Sequence, residues 1–84
     1  MSNRKKLLER LKNKPKDFTW DELTAVLTQL GYSETKTGKT GGSRRKFVHP
    51  DAPPVILHKP HPGNIIKTYV IDDVLEMLDR EGML

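Results

Sequence analysis

The run Phe18-Thr19-Trp20-Asp21-Glu22-Leu23 constrains the fold more than any other stretch of the chain. Thr19, followed three residues later by Glu22, forms a capping box. The threonine hydroxyl accepts from the free Glu22 amide, and the glutamate reaches back to the Thr19 amide. Phe18 and Leu23 stand at the two positions of a hydrophobic staple, which fixes the angle at which the chain enters the helix. Leu23, Val26, Leu27 and Leu30 then recur at helical spacing, so one stripe of this helix must be buried. Gly31 suits the left-handed residue that closes a helix. The spacing predicts a helix over Trp20 to Leu30 with a defined start and a defined buried face.

The remaining elements are read around that helix. Leu7, Leu8 and Leu11 share a face in a first helix, Ser2 to Lys12. Pro15 terminates it, because the residue before a proline is pushed out of the α region. Three short extended runs follow the capped helix: Tyr32 to Thr37, Arg44 to His49 and Val55 to His58. Turns at Gly38 to Gly42 and Pro50 to Pro54 separate them, and Pro60 stops the third. Within the second run, Arg45, Phe47 and His49 alternate with Arg44, Lys46 and Val48. A last helix is expected from about Tyr69 to Arg80, lined by Val70, Val74, Leu75 and Leu78 and ended by Gly82. Short connections between consecutive strands imply an antiparallel meander. The expected class is α+β, with a three-stranded antiparallel sheet, helices on one face and the other face open. Residues 1–84 form one domain: a basic N-terminal helical extension over 1–17 and a core over 18–84.

The chain has 84 residues, of which 35% are hydrophobic and 31% charged, so the core is modest. A core of this size supplies about 3–5 kcal/mol, and a partner that buries further surface is expected. Without cysteine there is neither a disulfide framework nor a thiolate metal site, which suits a reducing compartment. No apolar run reaches the roughly 20 residues of a membrane span. Glu9 and Arg10 interrupt the Leu7-Leu8 pair too soon for a signal peptide. The cytoplasm is the expected location.

The formal net charge is +4, unevenly spread. Arg4, Lys5, Lys6, Arg10, Lys12, Lys14 and Lys16 crowd the N-terminus, and Lys36, Lys39, Arg44, Arg45 and Lys46 the middle. Asp72, Asp73, Glu76, Asp79 and Glu81 make the last helix acidic. One face for a polyanion and another for a different partner is one reading, and a solvated surface of mixed charge is the other.

The turn Gly41-Gly42-Ser43-Arg44-Arg45-Lys46 is the first candidate site. Paired glycines let a backbone approach phosphate closely, Ser43 adds a hydroxyl, and two arginines offer bidentate contacts to phosphate oxygens. An ordinary hairpin with solvated charges has the same composition. The three histidines, His49, His58 and His61, lack the spacing and companion ligands of a metal site, so no metal or cofactor is expected. Histidine also serves as an acid–base group near neutral pH. Structural histidines bonded to backbone are commoner. No P-loop, dinucleotide fingerprint or serine–histidine–aspartate arrangement is present.

The order of these features resembles the HicA toxins of bacterial HicA–HicB toxin–antitoxin systems. A capped helix leads to Gly42-Ser43-Arg44-Arg45-Lys46-Phe47-Val48-His49-Pro50-Asp51. His61-Pro62-Gly63-Asn64 and Ile65-Ile66-Lys67 follow, then the last helix. The resemblance covers roughly residues 20–82. It implies a double-stranded-RNA-binding-domain-like fold with an α-β-β-β-α core, to which the N-terminal helix is an addition. It also implies mRNA binding and endoribonuclease cleavage that arrests growth, neutralised by a HicB-like antitoxin. On that footing Gly42, Ser43, Arg44, Arg45, Lys46 and Lys39 are the expected RNA contacts.

One departure bears on catalysis. The family's histidine follows Gly-Ser, and here Arg44 stands in that place, or Arg45 if the register slips by one. Arginine stays protonated and cannot act as a general base, although it can bind phosphate and stabilise a charged transition state. Either another group carries cleavage, with His49 and His61 as candidates, or the chain is a non-catalytic RNA-binding module of the same fold. A protein-interaction domain is the third reading, suggested by the acidic last helix and the small core.

Overall fold

The computed structural model describes residues 2–35, 44–60 and 63–84. Six elements follow in order: α1 (Ser2–Lys12), α2 (Trp20–Gln29), β1 (Ser33–Thr35), β2 (Arg44–His49), β3 (Ala52–His58) and α3 (Thr68–Arg80). The strands form one antiparallel sheet in the order β1-β2-β3, which is the expected meander in the expected α+β class.

The capping box forms as the sequence requires. Glu22 N donates to Thr19 Oγ1 at 3.1 Å, and Thr19 N donates to Glu22 Oε1 at 2.9 Å. The staple residues Phe18 and Leu23 are both fully buried. Two backbone bonds tie this helix start to the segment that leads into α3: Trp20 N to Asn64 O and Ile66 N to Phe18 O, each 2.7 Å. One core cluster draws on all three helices and on β2 and β3, including Leu11, Leu27, Tyr32, Phe47, Leu57 and Ile71. None of its members is polar or charged apart from the Tyr32 hydroxyl, which donates to Met77 Sδ at 3.2 Å.

Three boundaries and one buried face differ from the sequence expectation. α2 ends at Gln29, because Leu30 has already left helical geometry and Gly31 takes φ +104°. β1, Ser33–Thr35, starts one residue after Tyr32; Lys36 and Thr37, and the Gly38 to Gly42 turn, lie outside the described residues. β3 starts at Ala52 rather than Val55, so the turn narrows to Pro50 and Asp51. Pro53 and Pro54 fit there because β3 is an edge strand, where an outward nitrogen breaks no ladder bond, and because both fall in the register shift between the Phe47–Val55 and His49–Ala52 pairs. The buried face of α3 centres on Ile71, Val74 and Leu78, with Val70 and Leu75 only half-buried beside it.

α1 is part of this core rather than a loose arm. Leu11 is fully buried, and the Arg10 guanidinium lies 5.3 Å from the Phe18 ring centroid. Arg10 also pairs with Asp17 at 2.6 Å and Glu22 at 2.9 Å, and Lys14 with Asp72 at 2.9 Å. Part of the positive charge that crowds the N-terminal sequence, at Arg10, Lys12 and Lys14, is therefore matched by carboxylates. The helix stops at Lys12, and Lys14, immediately before Pro15, adopts φ +53°.

Two outcomes follow from this packing. Leu11→Ala empties a fully buried site and should cost about 2–5 kcal/mol, read as a lower denaturant midpoint in chemical unfolding. The Tyr32 phenol is raised above its ordinary value of 10.0, first by burial and then by the nearby Glu81 carboxylate. Its folded value exceeds its unfolded one, so its contribution is complete below the unfolded value and is lost as pH rises through the folded value. Stability should therefore fall in that alkaline window, and Tyr32→Phe should flatten the fall in urea melts taken across it.

Candidate nucleic-acid interface

Directly opposed residues in an antiparallel pair project from the same side of the sheet. Phe47 is opposed by Glu34 in β1 and by Val55 in β3, and it is buried with its ring centroid 6.0 Å from that of Trp20. This defines the core side, and Arg45, opposed to Leu57, shares it. Arg44 and Lys46 fall on the other side. Arg44 is opposed by His58, and Lys46 lies between Thr35 and Ile56. Arg44 and His58 are exposed, and Ile56 is 54% exposed.

The expected RNA contacts therefore divide. Arg44 and Lys46 lie together on the open face. Arg45 turns towards the covered face, where its Nε meets Glu34 Oε2 at 3.4 Å. Lys39, Gly42 and Ser43 lie outside the described residues, as does His61. Sequence alone assigns His58 no role; the strand register sets it opposite Arg44, and only the pairing could have revealed this.

His49 sits differently. It shares the core side with Phe47, two residues earlier, and meets the end of α2 there; the extra residue of the register shift between them lies in β3, where Val55 and Ala52 are three apart. Its Nδ1 accepts from Asp51 N at 2.9 Å, so the ring proton is on Nε2, which donates to Leu30 O at 3.0 Å. The ring also stacks at a tilt on Tyr32, 4.9 Å between centroids. Both nitrogens are thus committed to backbone, and the imidazole closes an otherwise unmatched helix-terminal carbonyl.

Beside the open face, β3 and the approach to α3 enclose a groove of about 570 Å³. Ile56 and His58 belong to both the face and the groove, while Lys59, Lys67, Tyr69 and Asp73 line the rest. Tyr69 is 63% exposed, so this region joins cationic, aromatic and aliphatic surface. Among the described residues no group of three or more His, Cys, Asp or Glu could hold a metal ion, and no helix is long and apolar enough to cross a membrane.

A family profile described as the HicA toxin of bacterial toxin–antitoxin systems matches residues 20–79, well over half of the chain. The chain belongs to the HicA toxin family. The match begins at the first residue of α2 and ends within the last turn of α3, so α1 lies outside the HicA segment while packing against it. Searches of curated proteins and of solved structures gave no significant match. As a HicA-family protein, the chain is the toxin side of a toxin–antitoxin pair.

The contact between His49 and the end of α2 can be tested through Gly31. A Cβ there would lie 2.8 Å from His49 Nε2, on a residue whose φ of +104° already disfavours any side chain. Gly31→Ala should destabilise by at least about 1 kcal/mol. In a double-mutant cycle the penalty should shrink when His49→Ala is already present, leaving only the backbone strain.

Proposed function

We propose that this HicA-family toxin binds mRNA on the open face of its sheet and cleaves it, and that a HicB-like antitoxin neutralises it by covering that face. The observation that carries the reading is the pairing of Arg44 and Lys46 on one uncovered sheet surface, next to a groove with further cations. Arginine and lysine at strand positions that point away from the core are placed to meet a phosphodiester backbone. Exposed Tyr69, on the groove wall, adds a ring on which an unpaired base can stack. Gly42, Ser43 and Lys39, which precede β2 in the sequence, are proposed as further RNA contacts. Arg45 supports the sheet through Glu34 and contributes its charge from the side.

Of the two histidines expected as acid–base groups, His49 fits a structural role, because a ring with both nitrogens bonded to backbone has no free nitrogen for a substrate. His61 stays a candidate. Arg44, where the family resemblance implies a histidine, favours a second reading in which the chain binds RNA without cutting it. The setting for either reading is the cytoplasm, where mRNA and the antitoxin are both available.

Induced expression separates these readings. Cleavage predicts growth arrest with shortened transcripts, relieved by co-expression of the cognate antitoxin; normal growth with intact transcripts would sink it. RNA binding should weaken steeply with salt. Arg44→Ala and Lys46→Ala should each weaken it about equally for different RNA sequences, and each should reduce the slope of log affinity against log salt by about 0.7.

A further inference from the structure

Resting on the ribonuclease reading above, we propose that His58 is the acid–base group of this toxin and that Arg44 is its phosphate-binding companion across the strand pair.

The register carries the assignment. β2 and β3 place Arg44 and His58 directly opposite one another, on the sheet face that the helices leave uncovered. Opposed residues in such a pair hold their Cβ atoms about 4.5–5.5 Å apart. A guanidinium and an imidazole at that separation can reach a single phosphodiester from two sides. His58 is exposed, and its ring forms no hydrogen bond among the described residues, whereas the nitrogens of His49 are both engaged. It also stands where the open face meets the groove lined by Lys59, Lys67 and Tyr69. An RNA strand crossing from sheet to groove passes over it.

The division of labour follows from the chemistry of the two groups. Arg44 keeps its charge and stabilises the negative charge that gathers on the phosphate oxygens in the transition state. His58 exchanges a proton, which Arg44 cannot do. In the step proposed, the neutral imidazole takes the proton of the ribose 2′-hydroxyl. The bond from the 2′-oxygen to phosphorus forms as the bond from phosphorus to the 5′-oxygen breaks. The departing 5′-oxygen takes a proton from water, and the hydroxide left behind recovers the proton from His58. The products are a 2′,3′-cyclic phosphate and a 5′-hydroxyl end. A strand pair thus replaces the function of one missing histidine with two side chains from adjacent strands.

The test uses the purified full chain and a 5′-labelled synthetic RNA, with His58→Ala, His58→Gln and His61→Ala, each checked for folding by circular dichroism. The expected result is that both His58 variants lose about 10²–10⁴-fold in single-turnover cleavage while RNA affinity stays within about twofold. The acid limb of the wild-type pH–rate profile, which a base that must be unprotonated imposes, should vanish with them. A single 2′-deoxy substitution at the cut site should block the wild type. If wild type cleaves and the His58 variants keep their rate, or only His61→Ala loses it, the assignment is overturned while the ribonuclease reading stands. If wild type binds the RNA and leaves it whole, the ribonuclease reading itself fails and the assignment with it.

Discussion

The burial of Phe47 against Trp20 is the contact on which the arrangement of this toxin depends. Side chains alternate along a strand, so sending one ring into the core commits its neighbours to the opposite face. With Phe47 only 1% exposed, Lys46 and Arg44 are held on the side the helices do not reach. The same contact sets β3, because Val55 must stand opposite Phe47 and His58 therefore opposite Arg44. A one-residue slip would exchange the faces: Phe47 would meet water and the cations would be driven into an apolar core. The apolar packing and the placement of charge are one constraint, and selection on the first preserves the second.

Sheet and helices are joined by backbone bonds as well as by the core. The bonds Trp20 N to Asn64 O and Ile66 N to Phe18 O lock the start of α2 to the strand-like approach to α3. At the other end of α2, His49 bonds Leu30 O and packs on Gly31. The helix is thus anchored at both ends to the elements that carry the open face. α1 adds Leu11 to the core and spends Arg10 and Lys14 on Asp17, Glu22 and Asp72. Such surface pairs contribute little individually. Their consequence is electrostatic: Arg10 and Lys14 are matched locally by carboxylates of the helical side.

The helices were legible because their signals are local. The capping box, the staple and the leucine stripe all lie within one short window, and α2 starts where they place it. The alternation of β2 was legible through Phe47 for the same reason. The start of β3 was not, since Pro53 and Pro54 read as a turn until the strand is known to lie at an edge. His49 shares a face with Phe47 by simple alternation, but that its ring meets the end of α2 there depends on where the helix packs, which the strand alone does not show. The Arg44–His58 pair was hidden for a deeper reason. It depends on where the β2–β3 turn begins and on the register shift between those strands, both of which are non-local to either residue.

That hidden pair alters how the arginine after Gly-Ser is understood. Read along the chain, Arg44 replaces a proton-transfer group and removes a capability. Read across the sheet, it stands beside a histidine and beside the cations of the groove. Phosphoryl chemistry needs a fixed positive charge and a titratable group within reach of one phosphate, and it is indifferent to which strand supplies each. A sheet offers such exchanges at no cost to the fold, because cross-strand neighbours on an open face occupy equivalent positions relative to the core. Substituting one member of the pair leaves Phe47, Trp20 and the register untouched. Under the proposed chemistry the open face can therefore exchange which residue moves a proton, while the buried face keeps the strand register.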